Sequence, residues 1–370
     1  MKILYVTTIS STMNAFFKAH IDMLVKNGHR VDLACNDTDW PIDEIYNELG
    51  CRFFHVDFSR QPLCKDNLKA YRQLGQMIRN EKYDIVHCHT PNAAVITRLV
   101  CRKLRKKSGL KVFYTAHGFH FYKGAPKLNW LVFYPIEKLC SRFTDTLITI
   151  NTEDYELAKT RFHAKRVYYS PGVGIDVAKF QNVQIDRAAV RQQIGVPEES
   201  FLLMSVGELN GNKNHQVVLK ALAQLGKPHV HYAIAGVGEH KEQLLALADE
   251  LGVAKQFHLL GYRRDIPELL PAADVFCFPS IREGLGLAAV EAMACGLPVV
   301  AADNRGTRSF VVSGVNGYSC THEDTNAFAT AIAALMADKD VRERMGQEGR
   351  RTAEGFSVHR VLTILQEVYD

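Results

Sequence analysis

The sequence predicts an α/β protein with two doubly wound parallel sheets in series, facing each other across a cleft. Short apolar or β-branched runs alternate with helix-length amphipathic segments, as in successive βαβ units. The chain has 370 residues, which is comfortable for two hydrophobic cores. The segment 170–180, SPGVGIDVAKF, interrupts the alternation with one proline and two glycines.

The apolar runs and the amphipathic segments predict the elements in order. In the first half we expect strands at 3–7, 31–35, 53–56, 85–89, 112–116, 146–150 and 167–169, and helices that include 14–26, 67–79, 92–105 and 128–142. In the second half we expect strands at 202–206, 232–235, 257–260, 275–278, 299–301 and 317–320, and helices that include 215–225, 241–251, 287–294 and 326–336.

The break near 170–180 divides the chain into an N-terminal domain, 1–180, and a C-terminal domain, 181–355. We expect a last helix over 356–370 to pack back on the N-terminal domain. Because open parallel sheets bind ligands at the carboxyl ends of their strands, the chemistry is expected in the cleft.

Composition excludes several classes of protein. No run of about 18 apolar residues is present, so no membrane span is predicted, and the N-terminal MKILYVTT is typical of a buried first strand. The nine cysteines form no CxxC pair, which argues against a disulfide framework or a zinc ribbon. A reducing, cytoplasmic setting is therefore expected.

Charge is unevenly distributed. Between Asp84 and Glu137 there is no acidic residue, whereas the same stretch carries nine of the chain's Lys and Arg residues. These are Arg98, Arg102, Lys103, Arg105, Lys106, Lys107, Lys111, Lys123 and Lys127. The stretch is either a solvated helix face or a surface for anions such as lipid head groups, a lipid-linked phosphate or nucleic acid.

The segment 282–303, REGLGLAAVEAMACGLPVVAAD, places two glutamates around a Gly-Leu-Gly turn. The glycines permit a tight loop, and the helix predicted to begin near Leu287 offers free N–H groups and its positive dipole end to a diphosphate. Glu283 lies in the loop, and Glu291 lies about one turn into the helix, where its carboxylate can accept from vicinal hydroxyls. The pattern predicts a site for a sugar nucleotide.

This pattern, E-G-x-G-L-x-x-x-E-A-M-A-C-G-x-P-V-V-A, resembles that of the retaining family-four glycosyltransferases of the two-domain GT-B fold. Residues 84–162 resemble the exopolysaccharide and capsule-assembly branch of that family, and the string YTAHGFHFYKGAP is specific to the branch. The resemblance extends along nearly the whole chain. It implies two facing Rossmann-like domains with the acceptor on the first and the donor on the second.

The resemblance also implies roles for the residues around the turn. Glu283 would contact the donor sugar, and Glu291 would hold the ribose of the nucleotide. The backbone of Gly284, Leu285 and Gly286 would lie against the diphosphate and the sugar.

Further donor contacts follow from the segments VGELNGNKNH and GYRRD. Lys213 matches the lysine that neutralises the departing diphosphate, and backbone groups near Tyr262 and Arg263 would read the nucleobase, with uridine suggested by the branch. Glu208 stands where most of the family has Arg, so we expect it to turn away or to pair with Lys213 or Arg263. The first loop, TTISSTMNAF, also lacks the family's Gly-Gly turn.

Four histidines are assigned to the first domain's side of the site. His117 matches the family histidine that touches the donor sugar near the reacting centre, where a neutral imidazole can hydrogen-bond a hydroxyl. His87 and His89 share one face of a strand, and with His120 they are expected to line the acceptor side. No carboxylate or thiolate pair with ligand spacing accompanies them, so no metal site is predicted.

The resemblance implies a retaining, metal-independent hexosyltransferase without a cofactor. It would move a hexose or N-acetylhexosamine from a UDP-sugar to a saccharide linked to polyprenyl diphosphate, in exopolysaccharide or capsule synthesis. The basic stretch around Arg105, Lys106 and Lys107 would then dock the protein on the anionic inner face of the cell membrane, with no role for nucleic acid.

Two alternatives remain open at this point. A non-hydrolysing UDP-sugar 2-epimerase also uses two Rossmann-like domains, and it would invert a sugar carbon without an acceptor. A non-catalytic membrane or nucleic-acid binder could be built on the basic stretch, although the set of Glu283, Glu291 and Lys213 argues against it.

Overall fold

The structure is a computed structural model that describes residues 1–370 apart from the side chain of Lys107. The chain forms two compact units. Unit 1 comprises Met1–Gly174 and Val358–Asp370, and unit 2 comprises Ile175–Ser357. The first boundary falls a few residues before the predicted position 180, because the Ile175 N–H already donates to the carbonyl of Phe356 in unit 2, at 3.0 Å.

Unit 1 is built on a parallel sheet of seven strands. The strands are β1 (Lys2–Ile9), β2 (Arg30–Asn36), β3 (Arg52–His55), β4 (Ile85–His89), β5 (Lys111–Ala116), β6 (Thr146–Thr149) and β7 (Arg166–Tyr169). Their order across the sheet is β3-β2-β1-β4-β5-β6-β7, so the direction of winding reverses between β1 and β4. Such a switch point is where open sheets bind ligands.

Helices cover both faces of this sheet. They are α1 (Ser10–Phe16), α2 (Lys18–Lys26), α3 (Ile45–Glu48), α4 (Asp66–Glu81), α5 (Pro91–Ser108), α6 (Lys127–Ser141) and α7 (Thr152–Arg161). The predicted single helix 14–26 is wrong, since the structure has two helices that meet at Phe17. The Phe17 ring is buried against Tyr5 and His89, and its backbone leaves helical geometry to place it there, with φ −114° and ψ 3°.

Unit 2 repeats the architecture with six parallel strands. They are β8 (Phe201–Val206), β9 (Val230–Ala235), β10 (Phe257–Leu259), β11 (Val275–Phe278), β12 (Val299–Ala302) and β13 (Gly317–Cys320). The order is β10-β9-β8-β11-β12-β13, which places the switch point between β8 and β11. Every predicted strand of both units is present, within two residues at each end.

The helices of unit 2 precede the last helix of the chain. They are α8 (Ala178–Gln181), α9 (Arg187–Gln193), α10 (His215–Leu225), α11 (Lys241–Glu250), α12 (Ile266–Leu269), α13 (Leu287–Cys295), α14 (Thr325–Ala337) and α15 (Lys339–Glu354). The last helix, α16 (Val358–Tyr369), returns to unit 1 and packs on α2. Among the described residues, no helix has the length and apolar character that crossing a bilayer requires.

A buried ion pair joins α5 to α6 in unit 1. Arg98, which is 1% exposed, donates from both terminal nitrogens to the Glu137 carboxylate, at 2.7 and 3.1 Å. Its guanidinium also lies 4.1 Å from the ring centre of Tyr114. Arg98 is therefore an internal residue and does not belong to the basic surface.

We expect Glu137→Gln to destabilise unit 1 by about 3–5 kcal/mol, because it leaves the Arg98 charge buried without its partner. Urea unfolding followed by tryptophan fluorescence reports unit 1 alone, since Trp40 and Trp130 are the only two tryptophans and both lie there. The double variant Arg98→Met/Glu137→Leu should recover part of the loss. A loss below about 1 kcal/mol, as for an exposed pair, would contradict the assignment.

Candidate active site

Two loops of unit 2 meet at its switch point. One follows β8 and spans 207–214, and the other follows β11 and spans 279–286. Because β8 and β11 are adjacent parallel strands, both loops leave the same edge of the sheet. The predicted residues Lys213 and Glu283 lie on these two loops.

Lys213 and Glu283 form an ion pair across the switch point. The Lys213 Nζ donates to Oε1 of Glu283 at 2.7 Å, and both side chains are largely shielded from solvent. The aliphatic stem of Lys213 lies against Gly207, and its ammonium is 5.5 Å from the ring centre of Phe278. The structure thus brings together two residues that are 70 positions apart in the chain.

A set of polar side chains, which the sequence analysis missed, holds the Glu283 loop in place. Three of them donate to its carbonyl groups: Asn304 to Ser280 at 2.8 Å, Asn212 to Arg282 at 3.0 Å, and Arg305 to Glu283 at 3.3 Å. The Asn cluster NGNKN indicates a turn in the sequence, but nothing there connects Asn304 and Arg305 to Glu283. These bonds hold the backbone of the loop that carries the Glu283 carboxylate.

Gly286 is the N-cap residue that immediately precedes α13. Its φ of +110° is rarely adopted by residues with a side chain, and a Cβ there would lie 2.7 Å from the Phe278 ring. No side chain caps the helix, so its first N–H groups are available next to Gly284 and Leu285. The predicted helix start at Leu287 is confirmed.

Glu291 lies one turn into α13, on the side that faces α8. Burial raises the pKa of its carboxyl, and the nearby Lys179 ammonium opposes that shift. A partly buried acceptor at this position is suited to a pair of hydroxyl groups.

Glu208 does not bond to either of the two residues that were considered as its partners. Glu208 pairs with neither Lys213 nor Arg263, because Lys213 is engaged by Glu283 and Arg263 donates to Asp265 at 2.8 Å. The Glu208 carboxylate instead accepts from the amide of Asn210 at 2.8 Å.

Tyr262 is 70% exposed, and its ring lies 5.9 Å from the guanidinium carbon of Arg264. The Tyr262 ring therefore lies on the surface of unit 2, on the loop after Gly261.

In unit 1 the prediction that His87 lines the acceptor side is wrong. His87 is fully buried, with its Nδ1 at 2.5 Å from the Tyr369 hydroxyl and its Nε2 at 2.8 Å from the Thr115 hydroxyl. Tyr369 lies on α16, which the sequence could not connect with β4. Both ring nitrogens are therefore satisfied within the core.

His89 and His117 form the histidine pair closest to the carboxyl ends of β4 and β5. The Nδ1 of His89 lies 3.2 Å from the Nε2 of His117. His89 is 1% exposed, so it supports His117 and does not line an open acceptor surface as predicted. His117 is half-buried, and burial lowers its pKa to about 4, with the charge of His20 adding to the shift.

His20, which the sequence analysis did not single out, completes this group. Its Nε2 lies 3.0 Å from the Val173 carbonyl, and burial lowers its pKa to about 4. The four histidines His20, His87, His89 and His117 are neutral at pH 7, because burial lowers the pKa of each. Among the described residues, no group of three or more His, Cys, Asp or Glu side chains has the arrangement of a metal site.

His120 follows β5 and is half-buried. Its carbonyl accepts from the amide of Asn129 at 2.8 Å, and its ring packs on Phe133, with centres 4.8 Å apart. It lines two cavities of unit 1.

The basic residues of α5 differ from one another. Arg105 is not a free surface cation, because it binds the Asp145 carboxylate and the Arg142 carbonyl. Lys106 is exposed, and the side chain of Lys107 lies outside the described residues. Arg105 therefore has a structural role that its sequence position did not reveal.

Comparisons with known proteins agree with the fold of the two units. Residues 2–151 match the family model described as glycosyl transferase 4-like, and residues 186–352 match the model described as glycosyl transferases group 1. The chain is 39% identical to EpsD of Bacillus subtilis (strain 168), which is named as a glycosyltransferase, over 100% of this chain and 96% of that protein.

A second relative is the UDP-Gal:alpha-D-GlcNAc-diphosphoundecaprenol alpha-1,3-galactosyltransferase of Escherichia coli, 26% identical over 94% of this chain and 90% of that protein. Among solved structures, Alr3699/HepE of Anabaena in complex with UDP and glucose superposes with a TM-score of 0.79 at 22% identity, covering 100% of this chain and 99% of the other. WaaG, from lipopolysaccharide biosynthesis, superposes with a TM-score of 0.75 at 18% identity, covering 99% of each chain.

The buried histidines are expected to make unit 1 sensitive to mild acid. His20 and His117 titrate near 4 in the folded protein, whereas unfolded histidine titrates at about 6.5. Between these values the unfolded state binds more protons, so stability falls as the pH drops from 6.5 towards 4. We expect a lower urea midpoint at pH 5 than at pH 7 by tryptophan fluorescence.

His20→Gln should reduce this pH dependence, since it removes one titrating group. The control His55→Gln should not, because Asp37 raises the pKa of His55 and its contribution has the opposite sign. Equal midpoints at the two pH values would contradict the neutral histidine group.

Proposed function

The chain belongs to the GT-B glycosyltransferases of family four, and from that premise we propose that it transfers a hexose or N-acetylhexosamine, with retention, from a UDP-sugar to a saccharide on polyprenyl diphosphate. The observation that carries the proposal is the ion pair of Lys213 and Glu283 beside the uncapped start of α13. The pair offers a cation for a diphosphate and an acceptor for sugar hydroxyls at one point of unit 2.

The chemistry follows from where charge develops. As the bond between the sugar and the nucleoside diphosphate breaks, negative charge grows on the β-phosphate, and Lys213 together with the N–H groups of α13 stabilises it. Glu283, held by Arg305 and Lys213, orients the sugar, and Glu291 binds the ribose. A front-face reaction assisted by the departing phosphate needs no nucleophile from the protein.

His117 contributes as a neutral hydrogen-bonding group. Because its pKa is about 4, it carries no charge at pH 7 and can bond a sugar hydroxyl next to the anomeric carbon. The UDP complexes named for the structural neighbours support a UDP-sugar donor, with its base read near Tyr262 and Arg263. The diphosphoundecaprenol in the name of the E. coli relative supports a lipid-linked acceptor.

A peripheral position on an anionic membrane is supported by α6. Its outer face is apolar and exposed at Leu128, Leu131, Val132, Pro135, Ile136 and Leu139. Lys127 and Lys138 lie along one edge of that face, and exposed Lys106 lies on the adjacent α5. Such a helix is suited to lie in the interface of a bilayer with anionic lipids.

The function is tested by measuring UDP release from a panel of UDP-sugars with a polyprenyl-diphosphate-linked acceptor. One donor should give acceptor-dependent release and an α-linked product by NMR. An epimerised UDP-sugar formed without acceptor would favour the epimerase instead.

Lys213→Met should lower kcat by about 10²–10³-fold, because the lysine acts on charge that develops in the transition state. Its effect on the affinity for UDP should be smaller. The matched control is Lys227→Met, an exposed lysine of unit 2 away from the site. If kcat for Lys213→Met stayed near that of the wild type, the leaving-group role would be wrong.

Leu131→Glu/Leu139→Glu should weaken sedimentation with vesicles of anionic phospholipid by about tenfold or more, since two apolar contacts with the bilayer are lost. Leu245→Glu, an exposed leucine of α11 in unit 2, is the matched control. Arg105 is unsuitable for this test because its replacement would break the ion pair with Asp145. Unchanged sedimentation of the double variant would rule out α6 as the membrane contact.

A further inference from the structure

Unit 1 contains two adjoining cavities of opposite character. The first, here the polar basin, has a volume of about 520 Å³ and lies at the carboxyl ends of β1 and β4. It therefore occupies the switch point of the sheet. Its polar lining consists of Thr8, Thr12, Arg60, Thr90, Asn92 and His120.

The polar basin is suited to an anion. Arg60 supplies a positive charge, and none of the described residues that line the basin is acidic. Thr90 is held with φ +61° and ψ 141°, a strained conformation for a β-branched residue, and its hydroxyl lies 2.7 Å from that of Thr8. Backbone strain of this kind is concentrated at functional sites.

The second cavity, here the apolar cavity, has a volume of about 220 Å³ and lies between α5, α6 and the segment after β5. Its apolar lining includes Leu63, Ile96, Phe119, Phe121, Phe133 and Ile136. A cavity of about 150 Å³ with such a lining stays dry and binds benzene, so this one has room for a short branched hydrocarbon.

The polar side chains around the apolar cavity are already engaged. Glu137 is bound by Arg98, and the amide of Asn67 donates to the carbonyls of Gln61 and Pro62, at 2.8 and 3.2 Å. Few hydrogen-bonding groups are left for a ligand, so the cavity selects apolar groups.

The two cavities adjoin each other, and the apolar cavity reaches the outer face of α6. They share the residues Pro62, Pro91, Asn92, His120 and Phe133. At the other end, Ile136 lines the apolar cavity and is also 40% exposed on the apolar face of α6, while Leu63 at the mouth is 100% exposed. A molecule with an anionic end and a hydrocarbon end matches this sequence of environments.

We propose that the two cavities bind the isoprenoid diphosphate portion of the acceptor. The diphosphate lies in the polar basin, the isoprene units nearest to it lie in the apolar cavity, and the rest of the chain leaves along α6. This assignment rests on the proposed function for the identity of the lipid, but every residue that it uses lies in unit 1.

Binding is tested on the full chain by calorimetry with three probes: farnesyl diphosphate, inorganic diphosphate and farnesol. Farnesyl diphosphate should bind at least about tenfold more tightly than inorganic diphosphate, because each buried CH₂ contributes about 0.8 kcal/mol. It should also bind at least about tenfold more tightly than farnesol, because only its diphosphate can pair with the Arg60 guanidinium. Equal affinity for farnesyl diphosphate and inorganic diphosphate would overturn the apolar cavity as the tail site.

Variants test which cavity binds the diphosphate of the probe and which binds its hydrocarbon chain. Ile136→Glu and Leu63→Glu should each bring the affinity for farnesyl diphosphate down to that for inorganic diphosphate. Arg60→Gln should bring the affinity for farnesyl diphosphate down to that for farnesol. The control Leu245→Glu should leave the affinities for all three probes unchanged. Because Leu63 is fully exposed, its replacement cannot disturb the core, and thermal unfolding verifies the fold of the others. Wild-type affinities in both Leu63→Glu and Ile136→Glu would refute the proposal.

A failure of this lipid site can be distinguished from a failure of the proposed sugar transfer. If sugar transfer occurs but is equally efficient with farnesyl-linked and tail-free acceptors, transfer stands and the tail site is wrong. If no UDP-sugar is used, the calorimetry still decides whether the cavities hold an isoprenoid diphosphate.

Discussion

The candidate active site of unit 2 depends on the 2.7 Å ion pair between Lys213 and Glu283. The pair exists because β8 and β11 are neighbours at the point where unit 2 changes its direction of winding, so the loops that follow them leave the same sheet edge. Gly286 lets α13 begin immediately beside the pair, with its N–H groups uncapped. Charged groups that the fold holds in fixed positions need little reorganisation when charge develops in a reaction.

The loop that carries Glu283 is held rigidly by side chains from other parts of unit 2. The carbonyls of Ser280, Arg282 and Glu283 are bonded by Asn304, Asn212 and Arg305, so the backbone of the Glu283 loop is held from several directions. A glutamate on an unsupported loop would lose its orientation to conformational entropy. The candidate site is thus built by the residues that hold the loop as well as by Glu283 itself.

Unit 1 keeps its buried histidines neutral, pairs its buried charge, and exposes an apolar face on α6. Desolvation keeps the histidines neutral. The positive charge of Arg98 on α5 lies inside the fold, where the Glu137 carboxylate pairs with it. The outer face of α6 remains apolar although it is exposed, which costs solubility and is retained where a surface meets lipid or a partner. A head group and a hydrocarbon chain would each find a matching environment within this unit.

The sequence by itself determined the two-sheet organisation, the strands, and the local element from Glu283 to Glu291, because these depend on periodicity and on glycine at close range. It predicted Lys213 and Glu283 as site residues, but it could not show that they bond to each other. Only the tertiary structure decided which polar groups bond within the fold, such as His87 to Tyr369 and Arg105 to Asp145. The reason is physical. Whether a charged or hydrogen-bonding side chain serves the core or a ligand depends on its burial and its partners, and most of these lie far away in sequence.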